Sequence, residues 1–188
     1  MMIDNTKLQE NIKCWQGVVS DTKLPLYDDL PKLELYMDQV VMLVNEYISH
    51  IFRLGVEEKQ VTPSMINNYV KMKIIPAPIK KRYSRVHLSR LITICLLKQS
   101  LNISTIKNLL PQVETDDEHK QFFDEFSKSY SDALAEGMAL INERLEQTKG
   151  QSEEKYTKMI TRSAVTADLY KMFTERFSQI IFWDDEKK

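Results

Sequence analysis

The sequence predicts a mainly helical protein with a long helical hairpin at its C-terminal end. Only 4 of its 188 residues are glycine and 9 are methionine, a bias that favours helix over turn-rich folds. Apolar residues recur three and four positions apart through several long segments, which is the period of an amphipathic helix. One stretch, residues 74–83, contains Pro76 and Pro78 and predicts an extended loop or a short β-ribbon instead.

The first part of the chain predicts two helices joined by a connector. Apolar residues four, three and four apart predict a helix over Thr6–Val19. Pro25 and Pro31 mark the connector, whose leucines we expect to pack an extended strap onto the core. A second helix is predicted over Tyr36–Leu54 and ends at Gly55, a favourable residue after a helix.

Three further helices are predicted in the middle of the chain, each preceded by a residue that can cap its free amides. They are Pro63–Lys73 after Thr62, Arg85–Gln99 after Ser84, and Ile103–Leu110 after Asn102. Pro63 supports the first of these predictions. The amide hydrogen that proline lacks would have no partner at the first position of a helix.

The remaining residues predict the C-terminal hairpin. An acidic run, Glu114–Glu118, indicates a linker or domain boundary, and Gly150 interrupts the apolar periodicity between two long helices. We expect this hairpin either to pack on the first half of the chain or to pair with a second subunit. The predicted divisions are residues 1–33, 34–113 and 114–188.

Charge is distributed very unevenly along the chain. The 55 residues from Lys59 to Val113 contain ten basic residues and no acidic one. Because the whole chain has a net charge of −1, subtracting this +10 leaves −11 for the remainder. An average window of this length would hold roughly eight acidic residues. Such a basic segment predicts a polyanionic partner, either nucleic acid or an acidic lipid surface.

Several classes of function find no support in the residues. Cys14 and Cys95 are too few for a disulfide framework or a cysteine metal site. His50, His87 and His119 lack the spacing of metal ligands, and no known catalytic motif occurs. We therefore expect no enzyme, metal or cofactor. With neither a secretory signal nor an apolar run of membrane-spanning length, we expect a cytoplasmic protein and no membrane partner.

The order of the central elements resembles a known DNA-binding domain. A Thr-capped helix containing Met65-Ile66-Asn67-Asn68-Tyr69 is followed by Lys73-Ile74-Ile75-Pro76 and then by a basic ribbon ending in Lys81-Arg82-Tyr83-Ser84. With the helix from Arg85 and the element Asn102–Leu110, this order resembles the winged helix-turn-helix of MerR-type regulators. The resemblance covers roughly Thr62–Leu110. Asn67 stands where that family usually has Arg, and Lys73 stands where it usually has Gly.

A second resemblance covers a partly overlapping set of residues. Leu35–Val41 and Val61–Val70 are similar to an uncharacterised bacterial family of unknown function. This likeness implies no mechanism.

The MerR-like resemblance implies a recognition helix and a wing with short β-ribbon character. Asn67 and Asn68 would reach base edges, although turn or capping chemistry is the alternative for both. Tyr83 would donate to a phosphate or pack in the core. Lys80, Lys81 and Arg82 in the wing would follow a phosphate strand or enter the minor groove, with Arg85 beside them. The other predicted backbone contacts are Thr62, Ser64, Lys71 and Lys73.

Taken together, the resemblance and the charge predict a MerR-like transcriptional regulator that binds double-stranded DNA. It would be a homodimer whose recognition helices bind half-sites about one helical turn apart, with any small-molecule effector unknown. The alternative is a non-catalytic interaction or adaptor protein whose basic face binds an acidic partner.

Overall fold

The computed structural model describes residues 5–52, 60–111, 115–148 and 153–182, without the side chains of residues 5 and 50–52. Within these residues the protein is mainly helical, as predicted. The seven α-helices found there are α1 (Asn5–Asp21), α2 (Met37–Phe52), α3 (Pro63–Lys71), α4 (Arg85–Leu97), α5 (Ile103–Leu109), α6 (Asp116–Thr148) and α7 (Glu153–Ile181).

The central helices begin after the three predicted capping residues, and two of these, Thr62 and Asn102, bond a helix amide through their side chains. The side chain of Thr62 accepts a hydrogen bond from the amide of the third residue of α3, at 3.3 Å. Asn102 does the same for α5, at 2.9 Å. Ser84 precedes α4, where its own amide donates to Nδ1 of His87 at 3.0 Å.

Helix α4 forms the centre of the fold. Its residues His87–Leu96 are all buried, because α2 and α6 pack against it. Helix α3 in turn packs on α2, and α1 packs on α6. Such all-round burial requires apolar residues on nearly every face, and α4 provides them from Leu88 to Leu97.

One hydrophobic core draws on all three predicted segments of the chain. Tyr27 and Leu30 from the connector and Phe123 from α6 are fully buried in the same cluster as α4. The connector is therefore a strap, as predicted, although Leu26 and Leu33 are exposed. The amide of Tyr27 donates to Asp124 at 2.7 Å, which fastens the strap to α6.

The prediction of a linker in the acidic run was wrong for its last three residues. Asp116, Asp117 and Glu118 form the first turn of α6, where acidic side chains stabilise the helix dipole. Asp116 also accepts a hydrogen bond from the hydroxyl of Tyr27 at 2.6 Å. Glu114 lies outside the described residues.

The two long helices α6 and α7 contact each other near the junction that joins them. Nη1 of Arg144 donates to the hydroxyl of Ser163 at 2.8 Å, and the hydroxyl of Thr148 lies 3.8 Å from the sulfur of Met159. Among the described residues, every helix is too short or too polar to span a lipid bilayer.

Candidate nucleic-acid interface

Helix α3 separates its apolar and polar residues cleanly. Ile66 and Tyr69 are buried, whereas Ser64, Asn67, Asn68 and Lys71 are exposed. These four residues, which we name the polar face of α3, line one shallow depression together with Met65. An α-helix with its side chains is about 10–12 Å in diameter, which fits the DNA major groove, about 12 Å wide.

A tight turn, Ile79–Arg82, follows α3 in the chain. The amide of Arg82 donates to the carbonyl of Ile79 at 2.8 Å, and the two residues form an isolated antiparallel bridge. Lys80 and Lys81 have φ angles of 48° and 62°. Two successive left-handed residues are typical of a type I′ hairpin turn, which strongly prefers Asn-Gly. We name Ile79–Arg82 the lysine turn.

Lysine at both central positions strains this turn. The left-handed conformation costs an L-residue other than Asn or Asp about 1–2 kcal/mol. Strain of this kind concentrates at functional sites, where the surrounding structure maintains it. Two antiparallel hydrogen bonds hold the base of the turn, because the amides of Leu35 and Tyr83 each donate to the other's carbonyl, at 2.8 and 2.9 Å.

A third left-handed lysine ends α3. Lys73 has a φ of 55°, and its amide donates to the carbonyl of Val70 at 3.0 Å. The next amide, that of Ile74, reaches back to the carbonyl of Tyr69 at 2.9 Å. This pair of bonds is a Schellman motif, whose left-handed position is usually glycine. Lys73 thus adopts a backbone conformation that usually selects glycine.

The polar face of α3 and the lysine turn belong to one continuous surface. Asn67 and Lys81 line the same depression, next to Asp38 at the start of α2. Lys71, Lys73 and Ile79 line an adjoining cleft. The lysines that lie on this surface are all exposed, and the ion pairs formed by the described residues involve none of them. They are Lys71, Lys73, Lys80 and Lys81.

Three other predicted site residues lie elsewhere or are engaged within the protein. The guanidinium of Arg82 stacks 3.9 Å above the ring of Tyr36. Tyr83 is buried, with its ring edge-on to His87. Arg85 forms ion pairs with Asp28 and Asp116. We therefore leave Tyr83 and Arg85 out of the candidate interface and keep Arg82 at its edge.

Arg85 is held by two carboxylates. Its guanidinium lies 2.5 Å from Asp116 and 3.4 Å from Asp28, and it stacks on the ring of Tyr27. The hydrogen bond to Asp116 raises the pKa of Arg85. This arginine joins the strap to α4 and α6, so its role in the structure is internal.

The basic segment as a whole does not face one direction. Arg90 is buried and donates to the carbonyls of Ile74 at 3.0 Å and Pro111 at 2.7 Å. Lys98 donates to the hydroxyl of Tyr69 at 3.5 Å, and Lys107 is exposed on α5. Lys59 lies outside the described residues. The basic segment therefore does not form one cationic surface, because Arg90 is buried and Lys98 is bonded to Tyr69.

Sequence reasoning missed the internal role of Arg90, although a signal was present. Arg90 lies between Leu88 and the largely apolar stretch Leu91–Leu97. A charged residue on a helix that is mostly apolar on every face indicates burial with backbone partners. Elsewhere in the described part of the chain, no group of three or more His, Cys, Asp or Glu side chains could hold a metal ion.

The chain belongs to a family described as Domain of unknown function (DUF1836), whose model matches residues 25–133. The match runs from the strap through α2, α3, α4 and α5 into α6, so it includes the whole candidate interface. No curated protein and no solved structure matches the chain.

Proposed function

We propose that this protein is a DNA-binding transcriptional regulator of MerR-like type. In this proposal α3 enters the major groove as the recognition helix, and the lysine turn acts as a short wing on the adjoining phosphates. The observation that carries the proposal is the shared depression of Asn67 and Lys81, because a reading helix and a backbone-binding turn must reach the same duplex together.

The chemistry of the surface supports these separate roles for α3 and the lysine turn. Asn67 and Asn68 each carry a donor and an acceptor, the combination that pairs with the major-groove edge of adenine. Lys71, Lys73, Lys80 and Lys81 supply positive charge at the end of α3 and in the turn. Phosphate contacts of this kind give affinity without sequence preference. Thr62 and Ser64, exposed at the start of α3, would meet a further phosphate.

The first experiment compares two variants of equal charge by fluorescence anisotropy with a random duplex. We expect Lys80→Ala/Lys81→Ala to weaken binding at least tenfold at about 50 mM salt, because two phosphate contacts are lost. The control, Lys128→Ala/Lys155→Ala, removes two exposed lysines from α6 and α7 and should bind as the wild type does. Equal losses in both variants would show that net charge alone explains the weaker binding. That result would contradict the role of the lysine turn as a wing.

The second experiment separates base contact from a structural role for Asn67. Duplexes selected by the wild type from a random library should lose their advantage over random DNA when Asn67 is changed to Ala. Binding to random DNA should stay nearly unchanged, because Asn67 carries no charge. An equal loss on selected and random duplexes would contradict base contact by this residue.

One observation favours the alternative of an adaptor that binds an acidic protein. The arginines of the basic segment, Arg82, Arg85 and Arg90, all have partners within the chain, although arginine is the residue best suited to phosphate. An adaptor of this kind would bind neither random nor selected duplex. The two experiments above therefore distinguish it from the regulator.

A further inference from the structure

Helix α7 carries a stripe of residues at heptad spacing, and only the first half of this stripe packs against the rest of the protein. Positions alternately three and four residues apart run along the whole helix: Tyr156, Met159, Ser163, Thr166, Tyr170, Phe173, Phe177 and Ile180. The first of these is buried, and Met159 and Ser163 contact α6. The last four are 49–69% exposed, although all of them are large and three are Phe or Ile.

The exposed part of α7 forms one broad apolar surface. Eight large apolar side chains from Val165 onward are each 42–71% exposed. At 100° per residue they lie within about half of the helix circumference. We name them the α7 surface: Val165, Leu169, Tyr170, Met172, Phe173, Phe177, Ile180 and Ile181.

The area of the α7 surface matches that of a protein interface. A large apolar or aromatic side chain offers about 150–200 Å², so these exposed fractions correspond to roughly 700–900 Å². The largest apolar patch on a typical monomer is about 300–600 Å², whereas each partner of a standard interface buries about 800 Å². The α7 surface therefore has the size of one side of an interface.

The width and charge of the surface indicate the partner. A two-stranded coiled coil needs only a narrow stripe, whereas an apolar arc of half the circumference suits a helix with two helical neighbours. Residues 153–182 hold five basic and four acidic residues, so no strong field attracts an acidic lipid surface. An identical helix offers the same heptad spacing and the same area.

We propose that two copies of the chain associate through their α7 surfaces, so that two α6–α7 hairpins form a four-helix bundle. Symmetry makes such an interface self-complementary, because the same patch serves both partners. The proposal does not rest on DNA binding, since every contact that it uses lies outside α3 and the lysine turn.

The test measures mass in solution by light scattering after size exclusion, at about 1 to 100 µM. The wild type should be a dimer. Phe177→Glu places a charge within the α7 surface. A hot-spot interface residue contributes about 30-fold or more, and each dimer carries two copies, so dissociation should rise roughly 1000-fold. Ile180→Lys should act in the same direction with the opposite charge.

A matched control distinguishes loss of the interface from disruption of helix α7. Ala164→Glu introduces the same carboxylate on the side of α7 that faces away from the α7 surface, at an exposed position, and should leave the dimer intact. A wild-type monomer at 100 µM would overturn the proposal. Dimers that persist in both Phe177→Glu and Ile180→Lys would overturn it as well, and so would a wild-type monomer that binds phosphatidylcholine vesicles.

Discussion

Replacing the two strained lysines by Asn-Gly, in the variant Lys80→Asn/Lys81→Gly, should stabilise the protein and weaken its binding to DNA. Asn-Gly is the preferred pair for a type I′ turn, and the two lysines occupy its left-handed positions. Removing a left-handed L-residue gains about 1–2 kcal/mol at position 81. The freedom of glycine in the unfolded chain offsets about 0.5–1 kcal/mol of this gain.

The net gain of about 1 kcal/mol should raise the melting temperature by about 2–4 °C for a chain of this size. The same variant loses two cations. Each phosphate contact contributes about 0.9 to the slope of log affinity against log salt, so the slope should become shallower by about 1.8. Between 50 and 200 mM salt, the fall in affinity should then be about twelvefold smaller than for the wild type.

Thermal unfolding and anisotropy on the same preparations test both halves of this prediction. Lys80→Ala/Lys81→Ala is the control, because it loses the same charges but keeps L-residues other than Asn in the turn. It should bind as weakly as the Asn-Gly variant without the gain in stability. A melting temperature that falls in the Asn-Gly variant would refute the turn geometry. An unchanged salt slope would refute the phosphate contacts.

Three other substitutions test the electrostatics and the core. Asp38→Asn removes a carboxylate from the depression that holds Asn67 and should tighten duplex binding about twofold to fivefold, as expected for one exposed charge; looser binding would contradict the placement of DNA there. Burial lowers the pKa of His87 below its usual 6.5. Below pH 6.5 the unfolded chain therefore takes up a proton that the folded protein does not. The unfolding free energy should fall as the pH drops from 7 to 5, and less steeply in His87→Gln; parallel denaturant curves would exclude this histidine. Phe123→Ala should cost about 3–5 kcal/mol and lower a single melting transition, whereas two separate transitions would show that α6 and the central helices unfold independently.

Local sequence signals were enough to predict most of the helices. Thr62 and Asn102 combine a capping side chain with an apolar period that begins directly after them, so sequence and structure agree at these starts. The end of α3 was placed two residues too late, at Lys73. That residue has helix propensity, but the hydrogen bonds of Ile74 and Lys73 close a Schellman motif, which propensity alone does not reveal.

The interaction partners of the charged side chains could not be predicted from local sequence signals. The partner of Arg85 is Asp116, 31 residues further along the chain, and only the packing of α6 on α4 brings the two together. A count of cations takes no account of such pairs, so it overestimated the charge available to a polyanion. The lysine turn was equally hidden, because Lys-Lys is not a pattern that favours left-handed residues.

The salt dependence of duplex binding tests the proposed function most directly. Four exposed lysines beside α3 correspond to a slope of about −3.6 for log affinity against log salt. We expect a value near this for the wild type and a slope close to zero for Lys71→Ala/Lys73→Ala/Lys80→Ala/Lys81→Ala. A wild type that fails to bind duplex DNA at 50 mM salt would contradict the proposed function, as would a variant that retains the wild-type slope.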